Sequence, residues 1–192
     1  MKSSPNGITP LMLAASRGDC AAVEDLLARA GEEVNAQDNF GYTALMYAAS
    51  AGDGPALEAL VRAGGDLLMK NCQGLSALDL ALAKGHEGAA LILRRARLFV
   101  AARDGDMDEL TNILDQGTDM NARESADGWT ALMAAAFHNH PHVVSRLLLR
   151  GADPELATAS GQTALQIARR QGHAEVVRLL HDYGAAPAPA GV

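Results

Sequence analysis

The residues best equipped for chemistry lie in short clusters. In HNHPH at 138–142, His138, His140 and His142 alternate, and imidazoles that close together could ligate a transition metal. In DGDMDE at 104–109, Asp104, Asp106 and Asp108 alternate like the first ligands of a calcium loop. RRAR at 94–97 could meet a phosphate or a targeting receptor, and Cys72 stands near Lys70, a cation that would favour its thiolate. Each cluster loses force in its setting. The sixth position of a calcium loop needs glycine for a sharp turn and here holds Glu109, while Ile113 and Leu114 continue a helix where ligands should be. Asp106 and Glu109 instead make a capping-box pattern at a helix start. Arginines ending a helix are stabilised by its dipole. Asn139 and Pro141 suit the end of one helix and the start of the next. The chain has no glycine-rich phosphate loop, nucleophile elbow or spaced carboxylate pair in a context that would use it. The expectation is a protein that is not an enzyme and holds no metal or cofactor.

The elements that carry these clusters repeat. GITPLMLAASRGD, GYTALMYAASAGD, GLSALDLALAKGH, GWTALMAAAFHNH and GQTALQIARRQGH superpose without gaps, starting at Gly7, Gly41, Gly74, Gly128 and Gly161. Their period is about 33 residues, except that the step from Gly74 to Gly128 is longer by roughly two-thirds of a unit. LFVAARDGD, from Leu98, aligns with LMLAASRGD and supplies that fraction; the connector that precedes every other unit is missing there. Thr or Ser at 9, 43, 76, 130 and 163 can cap the helix that follows, and Pro10 suits a first helical turn. Gly18, Gly52, Gly85, Gly105, Asn139 and Gly172 tolerate the left-handed backbone that stops a helix. A second helix then shows one apolar face, as in Val23 with Leu26 and Leu27 or Val144 with Leu147 and Leu148. Loops such as EEVNAQDNFG and ADPELATASG lead on to the next unit. One hairpin cannot bury both its faces, so neighbours must stack.

Composition agrees with close helix packing. Of 192 residues, 48% are hydrophobic but only 4% aromatic, and Ala is abundant. The net charge of −7 disfavours binding to nucleic acid and suits a partner with a basic surface. Residues 1–97 carry 9 basic against 11 acidic side chains and 98–192 carry 7 against 12, so the second half is the more acidic. Cys20 and Cys72 are too few for a disulfide framework, and no apolar run approaches the roughly 20 residues that span a bilayer. No apolar leader follows MKSSPNGITP. These features are expected of a cytoplasmic protein without a membrane span, monomeric when unbound.

The pattern G-x-T-[PA]-L-x-x-A-A-x-x-G-[HD], followed by V-x-x-L-L and G-A-D-x-N-A, resembles the ankyrin repeat along residues 7–185. The resemblance implies an all-α solenoid of six stacked helix pairs with projecting β-hairpin or loop fingers. Repeats one to three would span 1–97 and repeats four to six 98–185, either as one continuous stack that lost a finger, the favoured reading, or as a second array abutting the first, with 186–192 (APAPAGV) a disordered tail. The stretch 87–103 would be one long bent helix or two helices with a sharp break. One departure is that Met12, Met46, Asp79, Met133 and Gln166 stand where the family has His.

The resemblance further implies recognition of another protein by finger tips and the concave face of the first helices. Residues there without a folding reason are the candidate partner-binding set. They are Asn39, Phe40, Tyr42, Ser50, Lys70, Gln73 and Leu75 in the first half. In the second half they are Asp127, Trp129, Phe137, His138, Gln162, Arg170 and Gln171. The only Trp and two of three Phe fall on this set, and exposed aromatics often anchor interfaces. The function expected is a non-catalytic adaptor or scaffold, with an enzyme inhibitor as the alternative and a metal or thiol enzyme the remotest reading.

Overall fold

Each hairpin begins with a side-chain cap. In the computed structural model, which describes residues 6–29, 33–124 and 127–185, the side chains of Thr9, Thr43, Ser76, Thr130 and Thr163 accept from backbone amides of the first turn of the helix that follows. Eleven helices form among the described residues: α1 Pro10–Ser16, α2 Cys20–Leu27, α3 Ala44–Ala51, α4 Gly54–Arg62, α5 Ala77–Ala83, α6 Glu87–Asp104, α7 Met107–Asp115, α8 Ala131–Phe137, α9 Pro141–Leu149, α10 Ala164–Gln171 and α11 Ala174–Ala185. Among these residues there are no strands, only isolated bridges between Glu124 and Trp129 and between Ala157 and Thr163. The fold is an all-α solenoid with looped fingers.

The positions where the family has His keep polar work where they can. Asp79 accepts from Ser76 N at 2.8 Å, Gln166 Oε1 from Thr163 N at 3.0 Å, and even the Met12 sulfur receives Thr9 N at 3.4 Å. Met46 and Met133 are buried.

The chain falls into two units, Met1–Ala96 and Arg97–Val192. In the first, α1 packs on α3 and α3 on α5, while α2 packs on α4. Fully buried alanines (Ala15, Ala48 and Ala49) let these helices approach closely, with Leu11, Leu45, Leu57, Leu60 and Leu93 filling the interior. In the second, α8 packs on α10 and α9 on α11 around Leu98, Leu110, Ile113, Leu132, Val144, Leu147 and Ile167.

The stretch with no turn at Arg97 and Leu98 is one helix, α6, running from Glu87 to Asp104. Leu98 is buried in the second unit, and Arg97 pairs with Glu109 of α7, its Nε donating to Oε1 at 2.7 Å. That pairing corrects the capping box expected at Asp106: Asp106 does accept from Glu109 N, but the Glu109 carboxylate goes to Arg97. The last helix, α11, runs through Gly184 to Ala185. Residues 186–192 lie outside the described residues.

Candidate protein-binding surface

Fingers are held by a side-chain hub rather than by strands. In the finger of Asp38, whose side chain is buried, Oδ1 accepts from Phe40 N and Tyr42 N at 2.9 Å, and Oδ2 accepts from the Tyr47 hydroxyl at 2.7 Å. Burial, and then the bond to Asp38, push the Tyr47 phenol up to about 12. Asn71 does the same for the next finger, its Oδ1 accepting from Gln73 N and Leu75 N at 3.0 Å, and Thr158 accepts from Gln162 N at 3.1 Å.

Neighbouring fingers are stitched in a common register. Cys72 N donates to Phe40 O at 3.0 Å, and Ala159 N to Asp127 O at 2.8 Å. Gln37 Nε2 donates to Gly41 O and to Lys70 O of the following finger; Arg123 Nη1 donates likewise to Gly128 O and Ala157 O. Asn35 accepts from Asp66 N, and Asn121 from Asp153 N.

On this frame the sequence-derived candidates form two sets, one in each unit. In the first unit Phe40 is 61% exposed at its finger tip beside exposed Asn39. Tyr42 is half-buried, its ring centroid 5.4 Å from that of Tyr47. Lys70 and Gln73 are exposed on the next finger, where Leu75 is half-buried. Ser50 is half-buried and its carbonyl is already used by His86. In the second unit Trp129 and Phe137 meet edge to face with centroids 5.6 Å apart, and His138 follows 5.0 Å from Phe137. Both Trp129 and Phe137 also pack on the unit's core, so each ring is only partly free. Asp127, His138, Arg170 and Gln171 are exposed, and Gln162 is half-buried. Burial first, then His140 and Arg103, hold the His138 imidazole below its ordinary range.

The other histidines have structural partners. His140 Nε2 donates to Arg103 O at 2.8 Å, His86 Nε2 to Ser50 O at 3.1 Å and His173 Nδ1 to Ala136 O at 3.0 Å. Each ring closes the open carbonyl end of the first helix one hairpin earlier. Beneath His140 and His86 the approach leaves no room for a side chain on the glycine. A Cβ on Gly105, at φ +78°, would lie 2.7 Å from the His140 ring, and Gly52 is crowded by His86 in the same way. Among the described residues no three His, Cys, Asp or Glu side chains gather as a metal ion requires. Cys20 is half-buried, its thiol pushed up by burial and then by Glu24, while Cys72 is exposed. The closing role of the histidines escaped sequence reasoning, although their recurrence at one repeat position, 86, 140 and 173, was its signal.

Comparison with known proteins adds to this geometry. The family model described as ankyrin repeats (3 copies) matches twice, over residues 4–97 and 98–188. The human NAD-capped RNA hydrolase NUDT12 is 41% identical over 80 residues, which cover 42% of this chain and 17% of that protein. Human ankyrin repeat domain-containing protein 40 is 38% identical over 78 residues, 41% of this chain and 21% of that protein. The chain thus spans about a fifth of the length of these relatives. Among solved structures, a chain in the complex of the Bdellovibrio bacteriovorus predatory endopeptidase Bd0816 with the immunity protein Bd3460 is 29% identical. The likeness covers 94% of this chain and 99% of that one, with a TM-score of 0.47. With both halves of the sequence matched, and with capped helix pairs and stitched fingers in each unit, this chain belongs to the ankyrin-repeat family.

Proposed function

We propose that this chain is a non-catalytic adaptor or scaffold, with no cofactor or metal, that grips a folded protein partner through its finger tips and the adjoining ends of its first helices. The observation that carries the reading is Phe40. Its backbone is fully employed in the finger, yet its side chain is 61% exposed in a chain with three phenylalanines. An exposed ring on a rigid tip loses little entropy on binding and anchors interfaces well. Trp129, Phe137 and His138 supply a second aromatic patch, beside exposed Asp127. The excess of acid in the second half suits a basic partner surface, and the two free thiols suit the cytoplasm.

The test is affinity capture with wild type and Phe40→Ala, a substitution at an exposed finger tip, after circular dichroism confirms that both fold. An anchor of this kind is worth roughly 2 kcal/mol, about a thirtyfold loss of affinity. Capture that survives both Phe40→Ala and His138→Ala would overturn the assignment of these surfaces. A captured enzyme that loses activity on binding would make the chain an inhibitor rather than an adaptor.

A further inference from the structure

In the first unit, charge is sorted between two surfaces. Helices α1, α3 and α5 pack in one row, and α2 and α4 in another. The acids stay with the outer row or are spent on the backbone. Glu24, Asp25 and Glu58 stand on α2 and α4 and pair with Arg62, Arg29 and Arg95. Glu87 opens α6, while Glu33 and Asp66 follow the ends of α2 and α4. Asp19, Asp53 and Asp79 cap helix starts, and buried Asp38 is the hub of its finger.

The inner row and its fingers carry cations instead. Residues three and four apart share one face of a helix. On α1 and its cap that face holds exposed Leu13, Ser16 and Arg17, and Ala83 and Lys84 have the same places at the end of α5. Lys70 is exposed on the finger that leads into α5. Among the described residues none of the side chains of Arg17, Lys70 and Lys84 has an acceptor. These places stay exposed when a neighbour stacks alongside. Ala51, in the row of Arg17 and Lys84, is exposed on the middle hairpin, which is packed on both sides. Gln37, in the place of Lys70, is exposed although it is bonded to the following finger.

We propose that this face takes an acidic, extended segment of a partner protein, with carboxylates on Arg17, Lys70 and Lys84 and an apolar side chain on Phe40. The inference rests on the reading above that fingers and inner helices hold a protein, and for this unit it reverses the basic partner surface that net charge suggests. Salt screens exposed charges beyond about 8 Å, so a bound segment responds to the charges it touches rather than to the total. Arg17 and Lys84 stand two hairpins apart, about 18 Å at ordinary helix spacing, a distance that five or six extended residues span. Three separated cations suit a few carboxylates on such a segment. A nucleic acid, with closely spaced phosphates and a reach beyond the face, would also meet the acids of the outer row.

The test is fluorescence anisotropy of the full chain with a labelled peptide of about twelve residues, glutamates around a central leucine. Binding that weakens as salt rises is expected, with the dissociation constant raised about tenfold or more by Lys70→Glu plus Lys84→Glu. Arg29→Glu plus Arg62→Glu changes the net charge equally but on the outer row, where exposed pairs contribute little to stability, and is expected to change binding less than about twofold. Circular dichroism checks that both variants fold. No binding at low salt, equal losses in the two double variants, or equally tight binding of the lysine version of the peptide or of a single-stranded oligonucleotide would overturn the proposal. A protein captured through Phe40 but held more tightly after Lys70→Glu would overturn it too, while leaving the reading above intact.

Discussion

Tyr47 and Asp38 show how much of a finger rests on one hydroxyl. The buried Asp38 carboxylate receives two backbone amides on one oxygen and the phenol on the other. In the next finger Leu80 takes the place of Tyr47, and the Nδ2 of Asn71 is buried without a partner. Tyr47→Phe should create the same deficit beside a charge and cost about 1.5 kcal/mol at neutral pH, read by urea unfolding. The alkaline limb gives a second readout. The folded state keeps the phenolic proton up to about 12, whereas the unfolded chain loses it near its ordinary value of about 10. Between those values the folded state binds more protons, so stability falls as pH rises, and Tyr47→Phe should flatten that fall. A wild-type slope unchanged by the substitution would place the titration elsewhere. Neither Asp38 nor Tyr47 could be identified as a hub from sequence. An aspartate in a turn reads as an ordinary Asx turn, and the bond from nine residues further along depends on how the helix is set against the finger.

At the scale of elements, caps and stops were legible because they are local. Thr9, Thr43, Ser76, Thr130 and Thr163 each sit one residue before a helix, and Asn139 adopts φ 60° where its neighbours in the repeat have glycine. The aromatic candidates were legible only in part. Phe40 is exposed as expected, but Trp129 and Phe137 also serve the core, which no local pattern reveals. For the stretch from Glu87 the sequence left open one long helix or two; α6 is one helix, and its Arg97 pairs with Glu109 twelve residues away. The Arg97 and Glu109 side chains are 12% and 17% exposed, so the ion pair is largely withdrawn from water. Removing one member strands the other, and Glu109→Ala should cost about 3 kcal/mol in the second unit, measured by denaturant unfolding. A loss of only a few tenths would mean that Arg97 finds water instead. The double variant Arg97→Met plus Glu109→Leu should recover most of the stability, because the desolvation penalty goes with the charges.

Across the whole molecule, each of the two units carries its own spectroscopic reporters. Trp129 is the only tryptophan and belongs to the second unit; Tyr42 and Tyr47 belong to the first. Stability in a repeat array is a sum of local terms, so its parts need not melt together. Unfolding followed by Trp129 fluorescence should therefore shift with Glu109→Ala more than the circular dichroism transition does, and Tyr47→Phe should do the reverse. Coincident shifts in both variants would show one cooperative body.

The stitching between hairpins has a bearing on synthesis as well. Its side-chain bonds reach between residues 29 to 37 apart, from Asn35 to Gly64 and from His140 to Arg103. Such short closures are made early and quickly. A growing chain can therefore fasten each hairpin once the following one has left the ribosome. The leading repeats become sheltered while the rest is still being translated, so a nascent chain stalled shortly after Lys70 and His86 have emerged already holds the bonds that close its first two fingers.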